Sequence, residues 1–345
     1  DLKDMKKFLF YFVLLFIFVA CNKENNISNQ SEPKPYSIAE YGFEGEVKTA
    51  VEKNYTLNIE TGEYELVSTY EVNFNKRGFA TREKYCSSDM QSSMESAFIY
   101  NDNDDCLQRN DDLNMFGDAY KTSETLEYDK LGHITYRCLI GYDGNAQYTY
   151  NIYDGDNLVQ TETYVQEPNS EKRLMVRSVY EYSNKGYYDK SISENFNKDG
   201  SVDKEIILYK YDDKGNRIQM QFVDEDGNIL STYKSKYNEN GREIECSMYN
   251  NQSILENRLE YIYNEEDSCV ETRTYFNEVL TSTTLFKYDE YKHILECVRI
   301  NYEMATKEVD TYEYEYDKYG NIIKMIVYDN DMNVVSKDER EFIYY

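Results

Sequence analysis

Large side chains recur on alternate positions ahead of a polar turn, and the pattern repeats down most of the chain. An anchor aromatic at Phe74, Tyr100, Tyr128, Tyr153, Tyr182, Tyr211, Tyr237, Tyr263, Tyr288, Tyr316 and Tyr344 returns every 25 to 29 residues, with a mean spacing of 27. Two residues before it most copies carry a second large apolar or aromatic side chain, as in Val72, Phe98, Leu126, Tyr180, Tyr209, Tyr261, Phe286, Tyr314 and Phe342. A period of two puts these side chains on one face of a strand. After the anchor comes Asp or Asn and then, three residues on, Gly: Tyr211-Asp212-Asp213-Lys214-Gly215-Asn216, Tyr316-Asp317-Lys318-Tyr319-Gly320-Asn321 and Tyr128-Asp129-Lys130-Leu131-Gly132-His133 are the clearest copies. A side chain that can bond its own backbone, followed by a residue free to take positive φ, is turn chemistry. Apolar residues resume seven, nine and eleven positions past the anchor, as in Ile218, Met220 and Phe222 or Ile323, Met325 and Val327. A second turn, such as Asp224-Glu225-Asp226-Gly227-Asn228, closes the unit.

Two strands per unit predict an all-β fold, a repetitive antiparallel β-hairpin array of about twenty strands in an extended, curled or spiral sheet. In such an open array the terminal strands are unpaired edges, the last of them ending on Tyr344 and Tyr345. Tyr263-Asn264-Glu265-Glu266-Asp267 and Tyr288-Asp289-Glu290-Tyr291-Lys292 lack the glycine and Tyr182-Ser183 lacks the acidic residue, so these turns are expected to differ from the rest.

The Tyr-Asp turn, two variable residues, a glycine and a following strand resemble the YD repeats of the Rhs and teneurin-like proteins, over roughly residues 60 to 345. The resemblance implies hairpins lined up side by side in a long sheet that curls into a shell. It carries over the architecture and not the toxin role of the large Rhs proteins.

Ahead of the repeats, Met5-Lys6-Lys7 and the apolar run from Phe8 to Ala20 have the charged and apolar regions of a secretory signal, the run being too short for a mature membrane span. Asp1 to Asp4 precede the start in this reading. Phe18-Val19-Ala20-Cys21 resembles a bacterial lipobox, although Phe18 stands where Leu is usual. That resemblance implies a lipidated Cys21, and two or three acyl chains on one residue give stable attachment where a single chain binds marginally. Asn22-Lys23-Glu24-Asn25-Asn26 is similar to the short signals that send some Gram-negative lipoproteins to the outer leaflet of the outer membrane. Polar residues with Pro33 and Pro35 then continue to Tyr36 as a solvated tether. The expected organisation is a signal peptide at 1–20, lipidated Cys21 with a flexible tether at 21–36, and one repeat domain at 37–345.

Composition narrows the chemistry. Tyr supplies 38 of 345 residues, with 3 Pro and no Trp, as strands built on an apolar body with a polar tip require. A net charge of -27 opposes binding to nucleic acid, whose phosphates recruit Lys and Arg. Asp224, Asp226 and Asn228, and likewise Asp102, Asp104 and Asp105, have spacings partly like calcium loops but no matching distal Glu, and read as turn residues with no metal role. His133 and His293 both fall five residues past an anchor, also in turns, with no nucleophile motif beside them. Carboxylates are spread over every turn, and no pair stands out as the two facing groups of a glycosidase. No catalytic residue and no cofactor is assigned.

Cys86, Cys106, Cys138, Cys246, Cys269 and Cys297 remain after Cys21. Cys246 and Cys297 share one phase of the repeat and read as small core residues, and free thiols are favoured over bridges because in-phase strands lie several strand spacings apart. Tyr187, Tyr188, Tyr291 and Tyr319 fall off the ladder phase and are candidates for exposed rings that bind a glycan or a protein. The functional expectation is a non-catalytic, lipid-anchored protein of the Gram-negative outer membrane, an interaction scaffold with a protein or glycan partner. The alternatives are a carbohydrate-processing enzyme with a cleft on the curved sheet, or a purely structural shell.

Overall fold

The computed structural model describes residues 34–89 and 91–345. The expected leader, Cys21 and most of the expected tether lie outside them. The chain runs through β1 (Val47–Leu57), β2 (Tyr64–Phe74), β3 (Ala80–Ser87), β4 (Ser92–Tyr100), β5 (Cys106–Met115), β6 (Asp118–Tyr128) and β7 (Ile134–Ile140). It continues through β8 (Ala146–Asp154), β9 (Asn157–Gln166), β10 (Arg173–Tyr182), β11 (Tyr188–Phe196), β12 (Val202–Tyr211), β13 (Arg217–Val223), β14 (Ile229–Tyr237) and β15 (Glu243–Asn250). The last strands are β16 (Leu255–Tyr263), β17 (Cys269–Phe276), β18 (Val279–Tyr288), β19 (Ile294–Asn301), β20 (Thr306–Tyr316), β21 (Ile322–Tyr328) and β22 (Val334–Tyr344). The described residues form an all-β meander in which each strand pairs antiparallel with its sequence neighbours.

The expected extended or spiral sheet needs one correction: its ends meet. β22 pairs antiparallel with β1 from Val47↔Tyr344 to Thr56↔Ser336, so the 22 strands close into a barrel and neither terminal strand is an edge. Tyr345 is committed as well, its N–H donating to Glu46 O and its hydroxyl to Phe74 O. Closure removes the unpaired rows that an open array would expose. At about 4.8 Å per strand and ordinary barrel tilt, a circular section has a backbone radius of roughly 20 Å. Side chains cannot meet across such a width, so stability rests on neighbour-to-neighbour contacts along the wall.

The anchor row faces inward. In β4, Glu95, Ala97 and Ile99 are exposed while Ser96 and Phe98 are buried and Tyr100 is half-buried. A concave wall crowds its side chains and a convex wall spreads them, which assigns the anchor phase to the lumen. Met220 and Phe222 lie on this face as expected, paired to Tyr209 and Ile207. Ile218, Ile244 and Ile323 do not. Tyr211 pairs with Arg217 and Lys210 with Gln219, which leaves Ile218 as the extra residue of a bulge, and the same skip occurs at Ile244 and Ile323.

Seven anchor hydroxyls bridge to the preceding unit. Tyr100, Tyr128, Tyr153, Tyr182, Tyr237, Tyr263 and Tyr288 donate to the carbonyls of Ala80, Cys106, Ile134, Leu158, Arg217, Glu243 and Cys269, the first inward residues after the previous turn. Each bond satisfies a carbonyl beside the bulge, where the regular ladder is interrupted. Burial pushes the phenols of Tyr100, Tyr128, Tyr153, Tyr182, Tyr263 and Tyr288 up, Tyr263 to about 12.

The turns without glycine do not differ. Asn264 Oδ1 accepts from the N–H groups of Glu266 and Ser268, as Asp212 Oδ1 does from Lys214 and Asn216. Asp267 and Lys292 take the glycine's place at φ 65° and 67°, and the Ser183 hydroxyl stands in for the missing acid toward Lys185 and Tyr187.

Candidate functional site

The densest chemistry lies on the inner face around the closing seam, beneath residues 34–46. This segment, which takes in the last three residues of the expected tether, is a strap that crosses the end of the barrel carrying the anchor turns. Lys34 Nζ bonds Asp105 at 2.9 Å, Ile38 N–H donates to Gly78 O, and Ser37 bridges Phe79. On the far side of the seam the buried Asn321 holds Glu44 at both backbone groups: Glu44 N–H donates to Oδ1 at 2.7 Å and Nδ2 donates to Glu44 O at 2.8 Å. Tyr36, Ile38, Tyr41 and Phe43 pack on the core formed by Val47, Ala50, Val72, Phe74 and Phe98. Phe43 meets Phe74 and Phe342 edge-on, so its ring spans strands on both sides of the join.

Polar groups under the strap are paired. The Tyr41 hydroxyl donates to the buried Glu83, and the Tyr36 hydroxyl to Glu124 at 3.2 Å. Arg109 lies between them, its Nε 2.7 Å from Asp111 and an Nη 3.2 Å from Ser96 Oγ, with its plane facing the rings of Tyr36 and Phe98. Arg137 bonds Glu124 from the next strand pair. Burial, then the Glu124 charge, push the Tyr36 phenol up to about 12; burial, then the bond to Glu83, push Tyr41 up. These phenols are locked donors at neutral pH. At the seam itself Arg340 Nε sits 2.6 Å from Glu52, and Asp338 beside them is raised by burial and by the Glu52 charge. Tyr41, Phe43, Glu52, Tyr70 and Arg340 help line a cavity of about 260 Å³ here.

The candidates named from sequence fall elsewhere. His133 and His293 are turn residues as expected, and each ring stacks on the next unit's anchor: His133 on Tyr153 at 4.5 Å and His293 on Tyr316 at 5.4 Å. The reading of the off-phase tyrosines is corrected in part. Tyr187 stacks on Tyr211, Tyr291 packs on Tyr316 and Tyr319 on Tyr344, with centroids 4.9, 4.5 and 4.4 Å apart, while Tyr188 faces the lumen against Tyr180 and Tyr182. Tyr291 and Tyr319 are exposed as expected, at 51% and 43%, but each of the four rings packs on another tyrosine, so they are not a row of free rings. Asp224 accepts from the Asn228 backbone and side chain at 2.7 and 2.9 Å, and Asn101 with Asp105 does the same work in its own turn. The six cysteines of the described residues are free thiols, with Cys246 and Cys297 on the inner face.

Sequence reasoning missed a second aromatic set on the outer wall. Tyr148, Tyr249 and Tyr275 lie there under Lys172, Lys234 and Arg258, 3.5, 4.9 and 4.2 Å from the ring centroids. Tyr249 and Tyr275 each stand twelve residues past an anchor, a phase that was available to be read. Cross-strand ion pairs also mark the outer wall one residue before the anchor: Lys190–Glu181, Lys236–Glu245, Lys287–Glu296 and Lys324–Glu315.

No family model and no curated protein matches the chain. Among solved structures it is similar to a chain of the Photorhabdus luminescens Tc holotoxin pore, at 12% identity and a TM-score of 0.40, covering 85% of this chain and 18% of that one. It is also similar to porin-like proteins from Bacteroides uniformis and Bacteroides vulgatus, at 8% and 12% identity and TM-scores of 0.27 and 0.21. Those alignments cover 86% and 85% of this chain and 96% and 97% of the porin-like chains. The chain thus spans less than a fifth of the toxin chain it matches. With TM-scores below 0.5, these likenesses say nothing about what the protein does.

Proposed function

We propose that the protein is a non-catalytic interaction scaffold of a Gram-negative cell envelope, held at the outer membrane through acyl chains on Cys21 and presenting its barrel to a protein or glycan partner. The observation that carries this reading is the strap. The segment leading out of the tether is bonded to turns on both sides of the seam, so pull from the membrane is delivered to the whole ring. Twelve residues separate Cys21 from Lys34, a reach of at most about 45 Å, which holds the strapped rim within that distance of the lipid. The outer wall supports a water-facing body, because its repeated Lys–Glu pairs occupy the surface where a spanning barrel carries an apolar band.

Radiolabelled palmitate fed to a Gram-negative host expressing the chain should enter the wild type and not Cys21→Ser, and fractionation should move the variant out of the outer membrane. Soluble protein from Asn22 should then retain an envelope protein or a glycan on an array. Absence of label, or hydrolysis of a polysaccharide abolished by changing one carboxylate pair, would overturn the reading.

A further inference from the structure

The two rims of the barrel differ in what their turns expose. On the rim away from the strap, seven successive turns cross the seam from residues 251–254, through 277–278, 302–305, 329–333, 58–63 and the β3–β4 connection at 88–89, to 116–117. Six of them, or the residue just beyond, hold a large apolar side chain in solvent: Ile254 at 53% exposure, Val279 at 65%, Met304 at 74%, Met332 at 59%, Ile59 at 92% and Phe116 at 81%. Successive turns on one rim are two strand spacings apart, so the apolar knobs repeat about every 10 Å. Turn chemistry does not ask for them, since Asp, Asn and Gly already satisfy these turns. Isolated exposed apolar residues need no explanation, whereas a run of them along one edge marks a contact surface.

The charge around the knobs selects the occupant. The same seven turns contain seven carboxylates and no Lys or Arg. The ten turns of the strapped rim instead mix eight Lys and Arg with fourteen carboxylates, several of them bonded across to the next turn, as Arg242 is to Asp267 and Arg77 to Asp104. Two copies meeting on this arc would oppose carboxylate to carboxylate, and an anionic lipid surface would be repelled. Apolar knobs in an acidic setting fit a partner that pairs apolar sockets with Lys and Arg.

We infer that this arc is a docking edge for a basic protein surface with apolar sockets. The inference rests on the scaffold reading and locates its contact. The test compares the wild-type chain from Asn22 with two triple variants that keep every charge: Ile59→Ser/Phe116→Ser/Met304→Ser on the arc, and Leu131→Ser/Ile152→Ser/Ile343→Ser at exposed positions elsewhere. Equal thermal stability of all three establishes that the fold is intact. The probes are a dansylated amphipathic peptide of alternating Leu and Lys, its Leu and Glu counterpart, and phosphatidylglycerol vesicles, with sedimentation reporting self-association. The arc variant is expected to bind the Leu/Lys peptide at least tenfold more weakly than the wild type and the second variant, while the Leu/Glu peptide and the vesicles bind none of them. Equal binding by both variants would overturn the docking edge and leave the scaffold reading standing. So would arc-dependent self-association or arc-dependent vesicle binding, which would assign the edge to a second copy or to lipid. A wild type that binds neither this peptide nor any envelope component would remove the scaffold reading itself.

Discussion

An anchor tyrosine acts at both ends of its side chain. Its ring packs in the ladder on the inner wall, and its hydroxyl reaches back to the carbonyl that a bulge has taken out of the regular ladder. Tyr263→Phe removes the 2.9 Å bond to Glu243 O and leaves that acceptor unpaired, which should cost about 1–2 kcal/mol in urea unfolding. An unchanged midpoint would mean that water serves the carbonyl equally well. Turn positions with positive φ give a second check with opposite signs. Ser253 holds φ 61° in a turn of the common form, so Ser253→Gly should stabilise by about 0.5 kcal/mol. Gly215→Ala should destabilise by about 2 kcal/mol or more, because φ is +91° and a Cβ there would stand 2.9 Å from Cζ of Tyr187. Equilibrium unfolding of the pair measures both.

Strands, turns and their number could be read from the chain because each depends on a local rule: period two for a face, Asx and glycine for a turn. Two features needed more than locality. The bulge at Ile218, Ile244 and Ile323 shifts the inward phase by one, and a pattern of apolar residues cannot distinguish a residue on the inner face from one squeezed out of register. The off-phase rings of Tyr187, Tyr291 and Tyr319 looked free because their partners are anchors of the following unit, 24 to 25 residues later. The seam is where elements made distant by sequence are joined, and it contains a charge that folding does not favour. Asp338 lies beside Glu52 and is raised by burial, so the folded protein binds its proton more readily than the unfolded chain does. Stability from this group therefore falls as pH rises through its folded value. Asp338→Asn should raise the melting temperature at neutral pH, and the gain should vanish below about pH 4, where the wild-type carboxyl is protonated in both states. A variant less stable than wild type at neutral pH would show that the bond network around Arg340 needs the charge.

Closure belongs to the whole molecule. Nothing in one hairpin specifies how many copies complete a turn; strand number, tilt and stagger decide together, so an open spiral and a ring share the same repeat. The strap was legible only as the start of the domain, although Tyr36, Ile38, Tyr41 and Phe43 stood outside the period of the repeat and signalled an apolar segment in need of a surface. Because phenols line the inner wall all round, alkaline behaviour should be collective. Tyr36, Tyr263, Tyr314 and Tyr344 are each pushed up to about 12, with burial the leading cause. The unfolded chain therefore loses these protons first, and stability declines as pH rises above about 10. Tyrosinate absorbance should appear together with loss of the β-sheet circular dichroism signal, in one step; a gradual titration on an intact fold would show the phenols open to solvent.

The joining of β1 to β22 under the strap carries the account of an oriented ring, and hydrogen–deuterium exchange of the soluble chain from Asn22 tests it most directly. A closed barrel predicts that amides along Val47–Leu57 and Val334–Tyr344 are protected on both sides, to the level of interior strands such as β12 and β16. Fast exchange at alternate amides of β22 and β1, with the interior strands protected, would show two free edges and contradict the ring.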